Sequence, residues 1–255
     1  MKNTFLLLAT IFVIEAYSQE LKPVAYADGA QKLNGMAIVP QKSKANKPGV
    51  LILPAWYGIQ QHEKEVAKKL AELGYYVFIA DIYGEGNYPK DNAQAGKQAG
   101  YYKQHYEDYQ HRIGLALDQL VASGAAKDNI AAIGYCFGGT GVLEAVRGKI
   151  PLRGVVSFHG GLGKDATRKT EETSAKVLVC HGAIDPYVPA EEVAAFQKEM
   201  NESGADWQMI YYADAVHAFT EPAAGNDNSK GAAYNEKADK RSWKHMLAFL
   251  DEIMK

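Results

Sequence analysis

The sequence predicts a single α/β domain, a mostly parallel sheet with helices on both faces. Three observations carry this. Short runs that are apolar throughout alternate with segments whose apolar residues recur at helical spacing, from residue 32 to residue 254. Strands of that kind are buried on both faces, the condition of a parallel sheet under two helical layers. No repeat, low-complexity tract or long linker interrupts the alternation, and 255 residues are enough for one large core.

The elements follow in order. Residues 32–39 and 50–53 read as strands around a polar loop at 41–49. Residues 60–73 place Val66, Leu70 and Leu73 on one helical face, and Gly74 stops the helix. An apolar strand at 75–80 leads into a polar stretch with Gly84, Gly86 and Pro89. Tyr102, Tyr106, Tyr109, Ile113, Leu117 and Leu120 then recur at helical spacing and predict one helix, its tyrosines turned to the core. Beyond it lie a strand at 130–135, a helix at 138–146, strands at 154–158 and 176–180, a helix at 191–200, a strand at 207–212 and a closing helix at 235–254.

Composition narrows the function classes. The net charge is −2 and no basic cluster stands out, so neither nucleic acid nor an anionic membrane surface is an expected partner. Residues 1–18 read as a secretory signal peptide: Lys2, an apolar run at 5–14, then Ala16 and Ser18 ahead of a cleavage before Gln19. That run is too short to cross a hydrocarbon core of ~30 Å, and no cysteine follows it to take a lipid. The expectation is an exported protein, periplasmic or extracellular, with residues 19–255 as one domain, no membrane span and a monomeric state.

The chemistry concentrates at one corner. Gly134-Tyr135-Cys136-Phe137-Gly138 joins the strand at 130–135 to the helix after it and matches the Gly-x-nucleophile-x-Gly elbow with cysteine as nucleophile. The turn lifts the side chain out of the sheet, and the glycines admit the close approach of strand and helix. The helix N-terminus lowers the thiol pKa, and the Phe137 amide is free for a developing oxyanion. The competing role of the glycines, taken alone, is tight packing around a small buried cysteine. Two further stretches weigh against that. Asp185 lies in Val179-Cys180-His181-Gly182-Ala183-Ile184-Asp185-Pro186 and His217 in Val216-His217-Ala218-Phe219, each just past the carboxyl end of a strand, where open α/β sheets place their sites. The order nucleophile, acid, histidine is that of α/β-hydrolases. His181 is expected to shape the turn toward Asp185, and His159 to line the pocket. His62, His105, His111 and His245 fall on predicted helices as surface or packing residues. His105, Asp108 and His111 lack the further ligands a metal would need.

With those residues in hand, the chain resembles the dienelactone hydrolase family of α/β-hydrolases from about residue 32 to residue 254. The marks are the elbow, His181-Gly182-Ala183-Ile184-Asp185-Pro186 and His217-Ala218-Phe219, supported by Pro54-Ala55-Trp56-Tyr57-Gly58 and Asp81-Ile82-Tyr83-Gly84. The resemblance implies an α/β-hydrolase fold, no metal or cofactor, and hydrolysis of a small ester or lactone through Cys136, His217 and Asp185 and a cysteinyl acyl-enzyme. It implies a second oxyanion amide at Trp56 beside that of Phe137. The chain also departs from the family. Ala55 stands where a glutamate gates the thiol, and Glu85 and Glu221 stand where two arginines clamp a substrate carboxylate. A carboxylate would then meet carboxylates, so neutral, hydroxylated or cationic esters are the expected substrates. Without the gating glutamate, a well-populated thiolate–imidazolium pair is expected.

Tyr57, Tyr83, Glu85, His159, Tyr187, Phe219 and Glu221 are the expected pocket residues. Aromatics there suit planar rings or sugar faces, and equally serve to exclude water. Strands ending at Cys136 and Cys180 would flank the one ending at Phe158, putting the cysteines roughly 9–10 Å apart, beyond the ~7 Å a disulfide allows. The competing functions are a cysteine-dependent peptidase or amidase, and an exported small-molecule-binding homologue without turnover. A thiol–disulfide oxidoreductase would want a Cys-x-x-Cys pair, which the chain lacks.

Overall fold

The structure is a computed structural model, and it describes residues 20–254; the expected signal peptide lies outside them. Its centre is an eight-stranded sheet in the order β1-β2-β4-β3-β5-β6-β7-β8. The strands are β1 (Lys22–Asp28), β2 (Gln31–Ile38), β3 (Gly49–Leu53), β4 (Tyr76–Ile79), β5 (Ile130–Tyr135), β6 (Gly154–Phe158), β7 (Lys176–Gly182) and β8 (Trp207–Tyr212). β1 pairs antiparallel with β2, and β2 with β4; every later pairing is parallel. The six α-helices among the described residues are α1 (Gln61–Glu72), α2 (Asn92–Gln104), α3 (Tyr106–Ala122), α4 (Phe137–Arg147), α5 (Ala190–Glu202) and α6 (Glu236–Ile253).

Alternation along each strand divides the core in two. Leu51 and Leu53 of β3 pack with Tyr109, Ile113, Leu120, Val142 and Phe196 from α3, α4 and α5. Val50 and Ile52 of the same strand face the other way, onto Val66 and Leu70 of α1 and Met246, Phe249 and Leu250 of α6. A strand's side chains alternate faces at every residue, so one apolar run serves both layers.

Three departures from the sequence reading have local causes. The helix expected across 102–120 is two, broken at His105 (φ −105°, ψ 63°), whose N–H and Nδ1 both turn back onto the Tyr101 carbonyl. α2 itself buries only Ala95, Ala99 and Tyr102, too little apolar surface to register as a periodic stripe. β1 is an edge strand with four of its seven residues exposed, joined to β2 across a tight Asp28-Gly29-Ala30-Gln31 hairpin with Gly29 at φ 56°. The parallel order β5-β6-β7 puts one full strand between Cys136 and Cys180, and both are free thiols. No helix among the described residues is long and apolar enough to cross a membrane. His111 pairs with Asp28, and Asp108 accepts the Tyr101 hydroxyl.

Candidate active site

Cys136 occupies the corner between β5 and α4. Its backbone holds φ 53° and ψ −111°, a conformation L-residues rarely adopt and the surroundings must enforce. Its N–H donates to the Phe158 carbonyl at 3.0 Å and to Nδ1 of His159 at 3.2 Å. The corner closes only because its flanks carry no side chain. A Cβ on Gly134 would lie 2.0 Å from the Gly138 carbonyl oxygen, and one on Gly138 2.0 Å from that of Leu53. The sulfur stands at the N-terminus of α4 and accepts the Phe137 amide.

Asp185 and His217 reach the same point from neighbouring strand ends. His217 is pinned by backbone bonds to Gly231 and Ala233. Its Nε2 is 3.0 Å from Sγ of Cys136, and its Nδ1 2.9 Å from Oδ2 of Asp185. The Asp185 side chain has no exposed surface, and its other oxygen accepts the Tyr187 N–H at 2.9 Å. Burial alone would lower the His217 pKa, but the hydrogen bonds to Asp185 and Cys136 outweigh it and raise it to about 10. Burial would raise that of the thiol, yet the bond to His217, its charge, the Lys103 ammonium and the Phe137 amide together bring it down. Both shifts run toward a thiolate beside an imidazolium.

The loop after β3 completes the mouth. Trp56 packs in the same apolar cluster as Cys136, and its carbonyl accepts the Tyr83 hydroxyl at 2.9 Å. The Tyr83 ring stacks at 5.7 Å on Phe137, which stacks at 4.6 Å on Tyr109, whose hydroxyl donates to the Phe137 carbonyl. The residues expected to supply the two amides are thus braced by one aromatic column. From below, the buried Glu63 carboxylate accepts the N–H groups of Ala55 and Gln60 at 3.1 and 2.9 Å. Sequence reasoning missed Glu63, although Gln60 and Glu63 have the spacing of a helix-capping pair.

The other expected pocket residues part company. Tyr187 sets its ring edge-on against His217 at 5.3 Å, and Tyr57 packs on Trp56 with its hydroxyl on Asn92. His159 and Phe219 have no accessible surface, which corrects their expected place in the pocket wall. They pack edge to face at 5.1 Å behind His217, with His159 Nε2 on the Thr220 hydroxyl at 2.8 Å. Glu85 is exposed, its backbone tied to Gln31 and Lys32 of β2, and no contact links it to the thiol. Glu221 is turned inward, with Oε1 3.5 Å from Nε2 of His62. Neither atom has a hydrogen-bond partner.

The pKa shifts of both groups run toward a neutral pair. Burial, with Glu63, Cys136 and Asp239 nearby, lifts Glu221 to about 8, and burial pushes His62 down to about 4. A carboxyl raised in the fold from an ordinary 4.5 contributes stability below pH 4.5 and loses it as pH climbs toward 8. Each unit is worth about 1.4 kcal/mol, so the loss is on the order of a few kcal/mol. Glu221→Gln is therefore expected to raise the melting temperature at pH 8 relative to that at pH 5, compared with the wild type. Thermal unfolding of both proteins across that range checks this, and parallel profiles would sink it.

The model of the dienelactone hydrolase family matches residues 33–254. The crystal structure of a dienelactone hydrolase-like promiscuous phosphotriesterase from metagenomic libraries is similar with a TM-score of 0.87 at 35% identity, covering 93% of this chain and 100% of that one. A Caenorhabditis elegans protein is 35% identical over 144 residues, 55% of this chain and 91% of that protein. A Bradyrhizobium protein named "Probable 2-oxo-3-(5-oxofuran-2-ylidene)propanoate lactonase" is 27% identical over 214 residues, 80% of this chain and 83% of that protein.

Proposed function

This chain belongs to the dienelactone hydrolase family, and from that membership we propose that it hydrolyses a small ester or lactone through Cys136, His217 and Asp185. The observation that carries the reading is the unbroken line of hydrogen bonds from Asp185 through His217 to the sulfur, at 2.9 and 3.0 Å. A probable lactonase and a promiscuous phosphotriesterase are among the similar proteins, and the cysteine route is the one these distances support.

The thiolate of Cys136 attacks the ester carbonyl and forms a C–S bond, and the carbonyl electron pair moves onto oxygen. The amides of Phe137 and Trp56 receive that oxyanion. As the oxyanion collapses, the C–O bond breaks and His217 gives its Nε2 proton to the leaving alkoxide, which in a lactone remains tethered to the acyl group. His217, now neutral, takes a proton from water as the water attacks the thioester. Breaking the C–S bond releases the acid and restores thiolate and imidazolium. Asp185 holds the imidazole tautomer and its charge throughout. Residues 1–18 support export, with residues 19–255 as the working domain.

Iodoacetamide tests the assignment. One equivalent is expected to enter Cys136 and to abolish turnover of a short-chain 4-nitrophenyl ester in parallel. Cys180 stays unmodified, since it is buried and its thiol is pushed up to about 12. Peptide mapping locates the adduct. Full turnover by protein alkylated at Cys136 would overturn the reading.

A further inference from the structure

His159 takes no part in the steps above, yet it touches both partners of the proton transfer. Its Nδ1 accepts the Cys136 N–H at 3.2 Å, and its Nε2 meets the Thr220 hydroxyl at 2.8 Å. Thr220 lies in the loop that carries His217, and the His159 ring stands edge to face with that of His217 at 5.2 Å. One buried imidazole therefore spans from the backbone of the nucleophile to the loop of the base.

The tautomer follows from the partners. An amide N–H can only donate, so Nδ1 is the bare nitrogen, and the proton sits on Nε2 and is donated to Thr220 Oγ1. A second proton would set N–H against N–H at Cys136. Burial, with the charges of His217 and His62, also holds the His159 pKa well below its ordinary value. Geometry and burial both favour the neutral ring.

The backbone it braces is under strain. Cys136, His159 and Ala218 hold φ at 53°, 39° and 57°, where L-residues sit uphill and persist only when their surroundings fix them. Two acceptors, the Phe158 carbonyl and His159 Nδ1, fix the plane of the Tyr135–Cys136 peptide. His159 is itself anchored: its N–H donates to the Cys180 carbonyl at 2.9 Å. Gly160 beside it is wedged against α4, where an added Cβ would lie 2.6 Å from the Gly139 carbonyl carbon.

We infer that His159, as its Nε2–H tautomer, is a positioning residue: it tethers the Cys136 turn to Thr220 on the His217 loop and so sets the approach of His217 Nε2 to the sulfur. The effect on turnover rests on the proposed hydrolysis; the effect on the thiol does not.

A double-mutant cycle on the full chain tests this, with Thr220→Val and His159→Asn. Valine removes only the hydroxyl at the far end of the tether. Asparagine tolerates a positive φ and sets an oxygen where Nδ1 stands, so it keeps an acceptor for Cys136 but falls short of Thr220. The readouts are kcat and KM on 4-nitrophenyl acetate, and the pH midpoint of Cys136 alkylation by iodoacetamide. Each single change is expected to lower kcat roughly tenfold with KM held, inside the ~100-fold that an ångström of misplacement can cost. Each should also move the alkylation midpoint up, toward that of a free thiol. The double variant is expected to match the singles, because both cut one tether. Thr220→Ser restores the hydroxyl and is expected to recover wild-type values, which keeps the test decisive should His159→Asn fail to fold. Native kcat and midpoint in Thr220→Val, losses that multiply in the double variant, or no recovery with serine would each overturn the tether and leave the hydrolase reading standing. A non-multiplying midpoint shift in a protein that turns over no ester upholds the tether and overturns the hydrolase reading instead.

Discussion

Replacing Cys136 by alanine is expected to lower ester turnover by roughly 10⁵- to 10⁶-fold, the scale seen when a triad nucleophile is removed. Asp185→Asn should cost on the order of 10⁴-fold. The two losses have different origins. Alanine removes the atom that forms the acyl bond, leaving only the oxyanion amides and binding. Asparagine preserves shape and can still accept the Tyr187 amide, but it removes the buried charge that helps hold His217 at about 10. The imidazolium then loses its partner, and the thiolate loses its imidazolium. Asp185→Asn should therefore also slow alkylation of Cys136 at neutral pH, whereas a variant that merely misplaced substrate would not. Steady-state rates on a 4-nitrophenyl ester, with iodoacetamide rates for the asparagine variant, read both effects. An asparagine variant with native alkylation and native turnover would remove Asp185 from the mechanism.

The parts of this fold legible in the sequence are those set by local chemistry. β5, β6 and β8 run over the residues expected of them, because each is a short, mostly apolar run of strand length. The parallel order around β5 follows from strands buried on both faces. Cys136, Asp185 and His217 could be read because each follows a strand, and the fold brings strand ends together. α2 could not, since its buried residues are small, and β1 could not, since an edge strand hides only alternate side chains. Residue identity also misleads where burial decides the role. His159 follows a strand end and Phe219 follows His217 in sequence, but both pack behind the site. Glu221 has the composition of a repelling carboxylate, yet burial turns it inward and pushes its pKa up to about 8. Glu63 and Lys103 act on groups brought near them only by the tertiary fold. No spacing rule reaches that far.

The largest effect on stability is expected from Gly138→Ala, a single methyl group. Its carbon would sit 2.0 Å from the Leu53 carbonyl oxygen, 2.5 Å from the Leu53 carbonyl carbon and 2.7 Å from the Pro54 carbonyl oxygen. All three are backbone atoms, so no rotamer change relieves the overlap. Leu53 ends β3, which is paired with Gly134 of β5, and Pro54 opens the loop carrying Trp56, so neither can retreat without tearing the sheet or moving the oxyanion loop. Overpacking that side chains can absorb costs about 1–3 kcal/mol. A clash against fixed backbone costs more, and total stability is only about 5–15 kcal/mol. Gly138→Ala is expected to yield insoluble protein, or soluble protein whose cooperative unfolding transition is lost or falls by well over ten degrees. Gly96→Ala is the matched control: Gly96 lies exposed in α2 with nothing within 4 Å of its added methyl. There the same change removes backbone entropy from the unfolded chain and gains about 0.5–1 kcal/mol, raising the melting temperature by a few degrees. Opposite signs for one substitution at two glycines would show that the elbow, and not helix propensity, sets the demand at residue 138. A native melting temperature for Gly138→Ala would mean that α4 does not approach β3 as closely as this packing requires.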